Sequence, residues 1–72
     1  MDIQYIFGRR VRELRLEKKL SQEALASDAD IDRAYLSSLE NGKENISIRT
    51  MEKIIKALGA SFPEFFGNKI FK

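Results

Sequence analysis

Arg33, Ser37 and Ser38 recur at helical spacing within one short stretch, with Ala34 and Tyr35 beside them. Leu36 and Leu39 point to the opposite side, so Arg33, Ala34, Ser37 and Ser38 are left for an outer face. Such a face can read the edges of base pairs. An arginine near a helix start forks onto O6 and N7 of guanine, a serine serves several bases, and an alanine methyl meets the methyl of thymine. Arg33 is the strongest base-reading candidate, with a phosphate contact as the competing role. Tyr35 has two readings: half-buried scaffold, or a hydroxyl that reaches the ligand.

The stretch from Ser21 to Glu40 reads as two short helices joined by a tight turn, the layout of a DNA-binding helix-turn-helix. Ser21 is a good N-cap for the first of them, which stops near Asp28 or Ala29. Asp30 suits a left-handed turn, Ile31 plugs the core beneath it, and Asp32 caps the next helix. Asn41-Gly42 ends that helix.

Around this pair the spacing predicts three more helices. Ile3, Phe7, Val11 and Leu14, with Ile6 at the edge, form the buried stripe of a helix over residues 2–18. Gly8 inside it has two readings: close approach of another helix, or a bare absence of selection against glycine there. Ser47 caps a helix from Ile48 to Leu58 with Ile48, Met51, Ile54, Ile55 and Leu58 inward, closed by Gly59. Ser61-Phe62-Pro63-Glu64 starts a short fifth helix carrying Phe62, Phe65 and Phe66, followed by a tail with Ile70 and Phe71. No strand, repeat or linker signal is present, and residues 1–72 are expected to form one unit.

Composition narrows the chemistry. The chain has no cysteine and no histidine, which removes thiolate sites, the commonest general base and the commonest metal ligand. There is no glycine-rich phosphate loop, so an enzyme is not expected, nor a metal or cofactor. No apolar run approaches the roughly 20 residues that span a bilayer, and the first residues lack the pattern of a signal peptide, so the expected location is the cytoplasm. The net charge is only +2, but Arg9, Arg10, Arg12, Arg15, Lys18 and Lys19 crowd one stretch. Such a cluster is either a solvated helix face or a phosphate-binding footprint.

Taken together, LRLEKKLSQEALA and IDRAYLSSLENGKENISIRTMEKIIKALGASFPEFF resemble the Cro and phage-repressor type of helix-turn-helix regulators, the XRE family, over about Phe7 to Phe66. Within it the FGRRVRELR start, the run Asp32 to Ser37, the segment Asn45 to Ile48 and the Phe65-Phe66 ending look like the small controller proteins of restriction–modification systems. The resemblance implies an all-α, compact five-helix fold of the lambda-repressor type, with helices 2 and 3 as the helix-turn-helix. It implies that Gln22 grips a phosphate, that the Tyr35 hydroxyl reaches DNA, and that Arg15 and Glu40 pair to brace helix 1 against helix 3. The sequence departs from the pattern at Asp30, where glycine is frequent, at Ala34, where a hydrogen-bonding side chain is frequent, and at Glu44, where controller proteins resemble one another in a basic residue.

The expected activity is transcriptional regulation through a double-stranded DNA operator. Lys43, Asn45, Ser47 and Arg49 are positioned to hold the DNA backbone on the far side of the reading helix, aided by the N-terminus of helix 4; for Lys43 and Arg49 ordinary solubility is the competing role. One such domain makes few base contacts, so a homodimer on a palindromic site is expected, with half-sites about 34 Å apart. Residues 61–72, with Phe62, Phe65, Phe66, Ile70 and Phe71, are the candidate dimer region, although Phe62 and Phe66 also suit the chain's own core. An activator would in addition touch RNA polymerase, and no residue pattern marks that surface. The alternative reading is an antitoxin-like or other protein-interaction module with secondary DNA binding, kept open by Glu44 and Ala34.

Overall fold

A computed structural model describes residues 2–72. Among the described residues five α-helices follow one another: α1 (Ile3–Glu17), α2 (Gln22–Ala29), α3 (Arg33–Glu40), α4 (Ile48–Ala57) and α5 (Phe62–Phe66). A 3₁₀ turn, Lys69–Phe71, closes the tail and packs on α1.

Local chemistry sets most of the boundaries. The side chains of Asp2, Ser21, Ser47 and Ser61 each accept from the backbone N–H three residues on, at 3.0–3.2 Å, which satisfies one open donor per helix start. Asp32 is different from expectation: it stands at the N-cap of α3 but makes no side-chain cap bond. Its exposed carboxylate stays in water, where it still faces the positive end of the helix. Asp30 takes the left-handed conformation (φ 58°, ψ 49°), and the Ile31 N–H turns back to the Ala26 carbonyl at 2.9 Å. α1 ends in the same way at Lys19 (φ 58°), with the Leu20 N–H on the Arg15 carbonyl. A lysine gives no sequence cue for that geometry.

The core is shared by every helix: Phe7, Val11 and Leu14 from α1, Leu25, Ala26 and Ala29 from α2, Leu36 and Leu39 from α3, Ile54 and Ile55 from α4 with Leu58 just after it, and Phe65 from α5. α1 crosses α3, while α2 packs on both α3 and α4. Gly8 sits at the first crossing. A Cβ there would lie 2.3 Å from the Leu39 carbonyl oxygen, so only glycine lets the two backbones meet. Gly8→Ala is therefore expected to destabilise the fold by about 1–3 kcal/mol, as overpacking does. A thermal melt checks this, since each kcal/mol moves the midpoint by roughly 4–8 °C in a domain of this size.

Two apolar residues assigned to the buried stripes are not buried. Ile3 is 55% exposed and Ile48 is 79% exposed. Each is the first residue of its helix, so it projects past the last layer of side chains that could cover it. Conversely, Phe65, assigned to the dimer region, is 0% exposed and belongs to the core. Its ring lies 5.1 Å from Phe7 and 4.8 Å from Phe66, which in turn stacks at 5.1 Å against Phe71. Arg10 locks this cluster in place. It is buried, donates from Nε to the Phe65 carbonyl at 2.9 Å and from Nη2 to the Glu64 carbonyl at 3.0 Å, and pairs with Glu13. It caps the C-terminal carbonyls of α5 and is not part of a surface footprint.

Candidate nucleic-acid interface

α3 spans eight residues, about 12 Å of helix, and is anchored by Leu36, Leu39 and Glu40. Those three fix one face inward and leave Arg33 and Ala34 exposed, with Ser37 and Ser38 half-buried beside them. All four project from one helix side, as the apolar spacing requires. Among the described residues nothing forms an ion pair or hydrogen bond with the Arg33 guanidinium, which leaves its five donors free to fork onto a planar acceptor. Tyr35 is half-buried and packs against the core, so its ring is scaffold while its edge stays accessible.

Burial pushes the Tyr35 hydroxyl above the ordinary tyrosine value of 10.0, and the Glu44 carboxylate adds to the shift. The protonated form is thus the one the fold favours. Its stabilising contribution is complete below the ordinary value and is lost as pH rises through the folded one. At neutral pH the group is a hydrogen-bond donor. An absorbance titration of the wild type minus Tyr35→Phe is expected to place this transition above that of free tyrosine; coincidence with free tyrosine would refute the assignment.

α3 is held by a buried joint. Arg15 donates from Nε to Glu40 Oε2 at 2.7 Å and from Nη2 to Glu40 Oε1 at 3.1 Å, a two-pronged pair. Their side chains are only 10% and 3% exposed. Arg15 also donates from Nη1 to the Leu20 carbonyl at 2.9 Å, fixing the segment that leads into α2. Such a pair costs much desolvation, and its removal on one side leaves a buried charge, typically at about 3–5 kcal/mol. Its role is to set how α1, α2 and α3 sit together.

The flanking residues differ in what they can offer. Lys43, Asn45 and Arg49 are exposed and free to meet a phosphate. Ser47 is committed: its hydroxyl accepts from the Thr50 N–H and donates to Thr50 Oγ1, both at 3.0 Å. What Ser47 contributes is the capped start of α4, whose remaining backbone N–H groups point outward. Gln22 stands in the first turn of α2 and donates from Nε2 to Glu40 Oε1 at 3.2 Å, a contact between residues far apart in sequence that spacing gave no hint of. Among the described residues no group of acidic, cysteine or histidine side chains is arranged to hold a metal ion. Sequence reasoning missed Arg10, although its place three residues after Phe7 and four before Leu14 puts it on the inner side of α1.

Comparison with known proteins gives this arrangement a setting. The Helix-turn-helix (HTH_3) family pattern matches residues 11–65. Control protein C.MunI of Mycoplasma sp is 47% identical over 93% of this chain and 92% of its own length. The crystal structure of the restriction-modification controller protein C.AhdI from Aeromonas hydrophila superposes with a TM-score of 0.85 at 39% identity, over 92% of this chain and 100% of that one. The tetramer of the restriction-modification controller protein C.Esp1396I, solved in complex with its natural 35 base-pair operator, gives a TM-score of 0.89 at 33% identity, over 96% of this chain and 95% of that one. With an exposed recognition helix locked by a buried ion pair, and relatives matching along nearly its whole length, this chain belongs to the helix-turn-helix family of regulators, on the side of the restriction–modification controller proteins.

Proposed function

We propose that this protein is a sequence-specific regulator of transcription that binds a palindromic double-stranded DNA operator as a homodimer and controls the genes of a restriction–modification system. The observation that carries the reading is Arg33: exposed, unpaired among the described residues and set at the first position of a helix that the Arg15–Glu40 pair holds rigidly. In the major groove it reads guanine, with Ala34, Ser37 and Ser38 as weaker neighbours and the Tyr35 hydroxyl as a donor to base or phosphate. Lys43, Asn45, Arg49, the start of α4 at Ser47, and Gln22 hold the backbone on either side and set register.

The second copy docks on an apolar face that differs from the expected one. Phe62 is 43% exposed and lies 6.2 Å from Phe66, which continues to Phe7 at 6.4 Å. Phe7, Met51, Ile46 and Ile3 line one groove, and Ile48 is one helical turn before Met51. Phe62, Phe66, Ile3, Met51 and Ile48 form the dimer surface in this reading. Phe65 drops out, Phe71 buttresses Phe66, and Ile70 lines another groove with Arg9, Arg12, Glu13 and Leu16. Residues 1–72 act as one DNA-binding unit in the cytoplasm, without catalysis. Among the described residues no helix is long and apolar enough to cross a membrane. RNA polymerase is a further partner if the bound protein activates, and none of the residues assigned to DNA or to the second copy is given that role.

Footprinting on duplex from upstream of the protein's own gene tests the reading. Two protected half-sites about 34 Å apart on one face of the helix are expected. Uniform protection without sequence preference would refute it.

A further inference from the structure

We infer that Glu40 is a positioning residue for DNA binding, which holds the Gln22 carboxamide in the orientation that offers an N–H to a phosphate. The inference rests on the proposed reading of Gln22 as a phosphate contact. An ionised carboxylate only accepts hydrogen bonds, so Gln22 must turn its NH₂ group, and not its oxygen, toward Glu40. One N–H is then taken by Glu40 Oε1 and the second remains free. It stands at the start of α2, where the Ala24 N–H is occupied by Ser21 and the N–H groups before it stay open. A free amide N–H beside open backbone donors is the donor set that an anion at a helix start requires.

Arg15 makes this possible. It occupies both oxygens of Glu40 and so offsets a carboxylate that would otherwise repel the phosphate. Through the Leu20 carbonyl it also fixes the backbone just before Ser21. One buried cation thereby holds the chain at Leu20, two residues before Gln22, and the Gln22 side chain through Glu40. The flexibility that a surface glutamine loses on binding is already lost in the free protein.

Titrations of wild type, Gln22→Ala, Glu40→Ala and the double variant on operator and scrambled duplex test this, with each fold confirmed by thermal melting. Gln22→Ala is expected to weaken binding to both duplexes by the same factor, about tenfold, because a phosphate contact carries no sequence information. Glu40→Ala is expected to do the same, since it removes Oε1, the oxygen that accepts from both Arg15 Nη2 and Gln22 Nε2. The double variant should bind no more weakly than the weaker single one. Losses that multiply would overturn the proposal, because independent roles add in free energy. A second arm uses the unaltered free protein. The side-chain amide signal of Gln22, assigned by its absence in Gln22→Ala, should relax as a rigid group. Mobility there would overturn the proposal even where Glu40→Ala fails to fold. Failure of wild type to bind the operator at all would instead sink the functional reading.

Discussion

Arg33→Ala is expected to lower operator affinity by on the order of 10² to 10⁴ while leaving affinity for random duplex nearly unchanged. A two-pronged arginine–guanine contact discriminates by about 1–3 kcal/mol, and a dimer makes it twice, for roughly 2–6 kcal/mol in all. Binding to random sequence depends on phosphates and loses only the charge of one residue per copy. Arg33→Lys should not rescue, because a point-like ammonium cannot fork onto O6 and N7. The variant should fold normally, as Arg33 is exposed and touches no buried partner among the described residues. Equal losses on operator and random duplex would move Arg33 to the phosphate-binding set.

Ile48→Asp is expected to turn the proposed dimer into a monomer. At 79% exposure Ile48 contributes little to the fold of one copy, so the substitution leaves monomer stability nearly intact. In a dimer that buries Ile48 twice, each burial stabilises by about 1.5–3 kcal/mol, and a carboxylate in its place adds a desolvation penalty. The dimer dissociation constant should rise by at least on the order of a hundredfold, and operator affinity should fall with it. Sedimentation at several concentrations checks the first effect. A dimer that survives Ile48→Asp would place the second copy elsewhere, with the groove beside Ile70 the next surface to alter.

Local signals carried the fold a long way. Serine caps, the Asp30 turn and the Leu36–Leu39 spacing are each decided within a few residues, so five helices and their order could be read directly. What the sequence hid depends on distant partners. Periodicity marks Ile3 and Ile48 as apolar but says nothing of what covers them, and here their own chain leaves them bare. Among the three phenylalanines of α5, spacing alone could not choose which one enters the core; the Arg10 bonds to the end of that helix show why it is Phe65. Asp32 has the right chemistry for a cap and does not use it, while Lys19 takes a left-handed turn that its type does not announce. The joint of Arg15, Glu40 and Gln22 joins three helices, and only the Arg15–Glu40 half was available, from family resemblance. The outer face of α3 was legible because it is what remains after the apolar positions are assigned.

The central claim is that α3 reads a DNA sequence. It is tested most directly by titrating the wild-type protein against duplex from upstream of its own gene and a scrambled duplex of equal length across a salt series. Preference for the native duplex of at least on the order of a thousandfold is predicted. With Lys43 and Arg49 of both copies on phosphates, the logarithmic salt slope should be about −3 to −4 on either duplex. Equal affinity for the two duplexes, or no retention of either at low salt, would contradict the account.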